Sequence, residues 1–147
     1  MTFIVDEGGF FEAPLGEVWR FLGSGDEHSR AHGHRAIQSV VLDDRSGSYS
    51  WEQPFSGATK RFTMRWTAFE PQGIAYEVLE GPFEGSRFFL YYRAQGPRTA
   101  VAIVGEFVSP DIPSTMVEAE VRKFFEIEFK QDSAALRAAT RDDPRRS

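Results

Sequence analysis

Six strand-like runs follow one another through residues 36–109, and the shortness of what joins them constrains this chain more than any single motif does. The runs are AIQSVVLDD, SYSWEQPF, TKRFTMRWTAFE, GIAYEVLE, SRFFLYYRA and RTAVAIVGEFV, punctuated by DRSG, SGA, PQG, GPFEG and QGP. β-Branched and aromatic residues crowd the runs, and turn-forming residues fill the connectors. A parallel crossover needs a dozen residues or more, so consecutive runs must pair antiparallel through hairpins. The middle of the chain is therefore an antiparallel meander.

On either side of the meander the apolar period changes. FIVDEGGFFEA reads as an opening strand in which Gly8 and Gly9 predict a bulge or bend. In APLGEVWRFLGSG, Pro14 suits a first helical position, and Leu15, Val18, Trp19 and Leu22 keep helical spacing until Gly23. Asp26 is placed to cap a second short helix through DEHSRAH, which Gly33 ends. Beyond Pro110 and Pro113, residues 114–140 predict a long helix capped by Ser114 or Thr115. Its Val117, Val121, Phe124, Phe125, Phe129 and Leu136 recur on one broad face. Six or seven twisted strands and one apolar helical stripe bury each other most economically when the sheet curves around the helix. The predicted fold is α+β: a helix-grip, with a curved antiparallel sheet, two short helices after the first strand and a long C-terminal helix. Residues 1–140 make one domain and RDDPRRS, residues 141–147, a frayed tail.

Composition removes several function classes. The chain has 147 residues and no Cys, which excludes disulfides, thiolate nucleophiles and thiolate metal sites. A net charge of -5 argues against nucleic acid as a partner, because phosphate binding needs a basic footprint. No run approaches the roughly 20 apolar residues of a membrane span, and MTFIVDEGG is too short and acidic for a signal peptide. The expectation is a cytoplasmic protein without integral membrane association. Fourteen Phe residues and an aromatic share of 14% require a large apolar interior.

Strand alternation assigns the faces. Phe62, Met64, Trp66 and Ala68 point inward, and Arg61, Thr63, Arg65 and Thr67 outward. Tyr49, Trp51 and Phe55 share a face, as do Ile74, Tyr76 and Val78. In SRFFLYYRA both faces are apolar, Phe88, Leu90 and Tyr92 alternating with Phe89 and Tyr91, so an exposed outer face there predicts a homodimer. All three histidines lie within DEHSRAHGHRA. His28 and His32 share a helical face at i, i+4, a spacing zinc can use, but a tetrahedral site needs more ligands, and His34 lies past Gly33, off that face. No metal is assigned. Glu120 and Glu128 fall near the edge of the long helix's apolar face, where burial raises a carboxylate's pKa, although pairs such as Glu118 with Arg122 and Glu126 with Lys130 account for most of that helix's charge.

The segment FEAPLGEVWRFL, the aromatic meander, the strand RTAVAIVGEF and the terminal helix ending KQDSAALRAA occur in an order that resembles the START-like, or SRPBCC, superfamily over nearly the whole chain. That superfamily includes the birch-pollen allergen and the aromatic polyketide cyclases. The resemblance implies a deep apolar cavity between the concave sheet and the long helix. Its lining would be Tyr49, Trp51, Phe55, Phe62, Met64, Trp66, Tyr76, Tyr92, Val121, Phe124 and Phe125, and the second helix, with its histidines, would border the mouth. The function it implies is binding or transport of a small hydrophobic ligand such as a lipid, an isoprenoid or a polyketide-like aromatic, with no cofactor. The alternative is a cyclase or dehydratase in which a pocket Tyr, His, Glu or Arg moves protons, with His32 and Glu128 as the candidates. A third reading is an interaction module like the chaperone activators of this fold.

Overall fold

The computed structural model describes residues 1–141. The elements run β1 (Thr2–Phe11), α1 (Leu15–Gly23), α2 (Gly25–His32), β2 (Arg35–Val41), β3 (Ser46–Phe55), β4 (Ala58–Phe69), β5 (Gly73–Glu80), β6 (Arg87–Gln95), β7 (Arg98–Phe107) and α3 (Val117–Arg141). All seven strands form one antiparallel sheet in the order β1-β7-β6-β5-β4-β3-β2. Only β1 leaves chain order, closing on β7 so that the sheet can curl around α3. The expected helix-grip is the observed architecture, and the tail predicted at 141–147 lies, from residue 142 on, outside the described residues. Among the described residues no helix is long and apolar enough to cross a membrane.

The bulge expected at Gly8 and Gly9 appears as a break in the β1–β7 register between Asp6 and Gly9. A Cβ on Gly9 would stand 2.7 Å from the Phe129 ring, so only glycine lets α3 come this close to the sheet. The face assignments also hold. Arg61 reaches Glu52 and Glu80, and Arg65 reaches Glu77, as cross-strand pairs on the outer surface. In β6, Phe88 and Tyr92 are buried, while Tyr91 is exposed and Phe89 half-buried against Phe69 on the outside.

The helix starts differ from expectation by a few residues, each for a local reason. Pro14 is the N-cap of α1 rather than its first helical residue, its carbonyl accepting from the Glu17 and Val18 amides. Ser24, not Asp26, is the N-cap of α2, and no side chain caps that end. Gly33 ends α2 as predicted, at φ 64°. Ser114 and Thr115 fall in a turn that Met116 closes by donating to the Pro113 carbonyl at 2.8 Å, so α3 begins at Val117.

Candidate functional site

A column of rings runs through the interior. Trp51 of β3 stacks on Phe62 of β4 at 5.1 Å and 11°, and Phe62 stacks on Phe124 of α3 at 5.8 Å and 21°. Phe83 and Phe55 close around it edge-on. Trp51, Phe62, Val121 and Phe124, four of the residues expected to line a cavity, are buried here, and the Trp51 indole donates to Gln53 Oε1 at 2.8 Å. Tyr92 is buried as well, in a second cluster with Phe11, Phe21 and Leu136.

The centre of the concave face is less tightly closed. The backbone of α3 comes closest to β1, β7, α1 and α2, and it meets the central strands through side chains, Phe124 on Phe62 and Phe125 on Phe88. Tyr49, Met64, Trp66, Tyr76 and Leu90 face inward there, yet each keeps part of its surface accessible, as do Phe125 and Phe129 opposite them. Burial first, and then the negative charge of Asp132 and Glu128, push the Tyr76 phenol above its ordinary pKa; burial, Tyr76 and Asp132 do the same to Tyr92. Both therefore remain neutral hydrogen-bonding groups at any physiological pH. Two open surface depressions, of about 480 and 390 Å³, lie elsewhere, one beside Asp44 and Glu70 and the other on the outer face around Thr67 and Phe89.

At the end of the ring column sits a cluster of charge. His34 stacks on Trp51 at 4.5 Å and on His32 at 5.2 Å. His32, the buried residue of α2, lies against α3. Its Nδ1 is 2.7 Å from Gln131 Oε1 and 2.9 Å from Glu128 Oε2, and its Nε2 is 2.9 Å from Asp132 Oδ1. His28, one turn earlier, brings its Nε2 to 3.1 Å from that of His32 and 3.3 Å from Asp132 Oδ1. Glu128 and Asp132 are i, i+4 on α3, so two facing helices present an i, i+4 pair each.

This arrangement splits the histidines electrostatically. Burial alone would lower the His32 pKa, but contacts with Asp132 and Glu128 outweigh it and raise it to about 10. Burial and then repulsion from His32 and His28 lower that of His34 to about 3. Asp132 is held below the usual carboxylate range by the imidazoles beside it, although burial opposes this. An imidazolium and a neutral imidazole thus lie in stacked contact. The neutral ring takes a 3.0 Å hydrogen bond between its Nδ1 and the Tyr49 hydroxyl, which also meets Ser29 Oγ at 2.7 Å. Its Nε2 is buried without a partner.

The structure joins His32 and Glu128, the two expected acid–base candidates, and leaves Arg61 and Arg65 outside. His34 was expected to lie apart from His28 and His32, but left-handed Gly33 turns the chain back and lays its ring under His32. Asp132, Gln131 and Ser29 were not singled out from sequence. The available signal was the spacing of Asp132, four residues past Glu128 on the same helix face.

No family model matches the chain, and no curated protein matches it in sequence. Solved structures do resemble it. They include the Zhui aromatase/cyclase from Streptomyces sp. R1128, 15% identical over 96% of this chain and 98% of that one, with a TM-score of 0.79. A protein from Thermus thermophilus is 15% identical over 94% and 99% of the two chains, at TM-score 0.77. A START superfamily protein from Mycobacterium smegmatis is 13% identical over 93% and 98%, at TM-score 0.72. At such identities the likeness is one of fold, and it spans nearly the full length of each chain.

Proposed function

We propose that this chain, whose fold is that of the START-like (SRPBCC) superfamily, binds a small, largely apolar molecule between its concave sheet and α3. The observation that carries the reading is the set of inward-facing Tyr49, Met64, Trp66, Tyr76 and Leu90, which keep accessible surface on the concave face. Apolar area removed from water, at roughly 25 cal/mol per Å², would supply the affinity. The Tyr76 and Tyr92 phenols, held neutral, supply handles for orientation. Titration with a fluorescent apolar probe should give saturable binding of one molecule per chain. Met64→Trp, which fills the space, should abolish that binding without lowering the melting temperature. A protein that binds no apolar probe and carries no extractable small molecule overturns the reading.

The histidine–carboxylate cluster favours a second reading, a cyclase- or dehydratase-type enzyme. His34 Nε2, buried without a partner at the inner end of the cluster, is the group placed to hold a substrate carbonyl or hydroxyl, and the Tyr49 hydroxyl on its Nδ1 completes a path for a proton. Turnover of a poly-β-ketone surrogate that is lost in His34→Gln, with probe binding retained, separates this enzyme from a carrier.

A further inference from the structure

We propose that His28, His32 and Asp132 form a binding site for one divalent transition-metal ion, of the zinc or ferrous class. The three facing atoms, His28 Nε2, His32 Nε2 and Asp132 Oδ1, form a nearly equilateral triangle with edges of 2.9, 3.1 and 3.3 Å. Ligands held about 2.1 Å from one ion lie about 3.0 Å apart at right angles and about 3.4 Å apart at tetrahedral angles. The observed edges, 2.9 to 3.3 Å, fall within about 0.1 Å of that interval.

Two further features point to an ion rather than to a simple hydrogen-bonded cluster. Asp132 Oδ1 is buried and accepts no aligned hydrogen bond, although two ring nitrogens stand within 3.3 Å of it. Short but misaligned contacts are what ligands show when each points at a shared centre instead of at its neighbour. Second, the Nδ1 of His32 faces two acceptors, Gln131 Oε1 and Glu128 Oε2, which fixes the proton on that nitrogen. In the metal-free protein this ring is an imidazolium, so an ion would displace the Nε2 proton and take that lone pair, with the carboxylate behind the ligating imidazole as the usual outer-shell support. A second grouping, His32 with His34 and Glu128, would need that already engaged Nδ1.

Two imidazoles and one carboxylate leave coordination positions open, as in catalytic zinc and non-haem ferrous sites. The His28 side chain is 30% exposed and the His32 side chain 3%, so an ion would enter past His28 and keep its open positions toward solvent. Hard cations are disfavoured, because magnesium and calcium require oxygen ligands. This site stands apart from the apolar-ligand reading, since its test reads the ion itself.

The experiment is addition of cobalt(II) to the chelator-treated full chain, followed by its visible absorption bands and by competition with zinc. One equivalent should bind saturably, and zinc should bleach the bands. His28→Gln, at the most exposed of the three ligands, should weaken cobalt binding at least about tenfold, the loss that even an outer-shell change brings. Asp132→Asn should do the same, with circular dichroism reporting that the fold is retained, and Arg65→Gln on the outer sheet face should leave the affinity unchanged. The proposal is overturned if folded wild-type protein binds neither cobalt nor zinc, if magnesium binds as well as zinc, or if His28→Gln binds cobalt as tightly as Arg65→Gln does.

Discussion

The ring column from Trp51 to Phe124 and the histidine–carboxylate cluster at its end touch through one side chain, His34, yet they are held together in opposite ways. In the column the ring contacts are apolar, stacked along it and edge-on around it, and the energy grows with each atom buried. In the cluster two carboxylates of α3 lie beside one imidazolium of α2, an arrangement that repays the cost of burial only while all partners are present. Removing one member from the first leaves a hole. From the second, it leaves an uncompensated charge.

The sharpest way to break the contrast begins in the column. Phe62 is fully buried between Trp51 and Phe124, so Phe62→Ala should cost about 4 kcal/mol. Urea unfolding with an unchanged slope checks it, and a loss under about 1 kcal/mol would mean the column is loosely packed. Next comes the cluster. In the metal-free protein, His32→Leu leaves Glu128 and Asp132 facing an apolar side chain and should cost about 3 kcal/mol. Adding Glu128→Leu and Asp132→Leu to it should recover most of that loss, which no second change can do for Phe62→Ala. The pH dependence has a definite sign. The folded His32 pKa of about 10 lies above the unfolded value near 6.5, so its stabilisation is complete below pH 6.5 and is lost as the pH rises through 10. His32→Leu should flatten that alkaline limb.

The two regions also differ in how far the sequence reveals them. Phe62, Met64 and Trp66 declare their face by alternation along one strand, and Val121, Phe124 and Phe125 by helical period, so the sheet, the helix and the column between them follow from local pattern. The bulge at Gly9 and the stop at Gly33 were legible because glycine marks backbone that other residues avoid. The cluster was not legible as a unit. His28 and His32 are four residues apart, but their partners lie about a hundred residues later, and only the docking of α2 on α3 brings them together. Nothing local in KQDSAALRAA distinguishes Asp132 from a solvated helix residue.

The smaller effects fall where the regions meet. Tyr49→Phe removes the hydroxyl shared by His34 and Ser29 and should cost about 1 kcal/mol, visible as a lower urea midpoint. His34→Phe is the subtler test, because the new ring keeps the stack on Trp51 while the orphaned Nε2 disappears. At pH 7 the lost Tyr49 hydrogen bond and the relieved burial should nearly cancel, within about 0.5 kcal/mol. Acid separates them. His34 is neutral in the folded protein, with its pKa lowered to about 3, whereas the unfolded chain takes up the proton near pH 6.5. Wild-type stability therefore falls as the pH drops from 6.5 toward 3, and the part owed to His34 should reach about 1 kcal/mol by pH 5 after allowance for solvent screening. His34→Phe should lose less stability than wild type over that interval. If the two acid limbs coincide, His34 is charged and hydrated in the folded protein, and it belongs to the cluster rather than to the column.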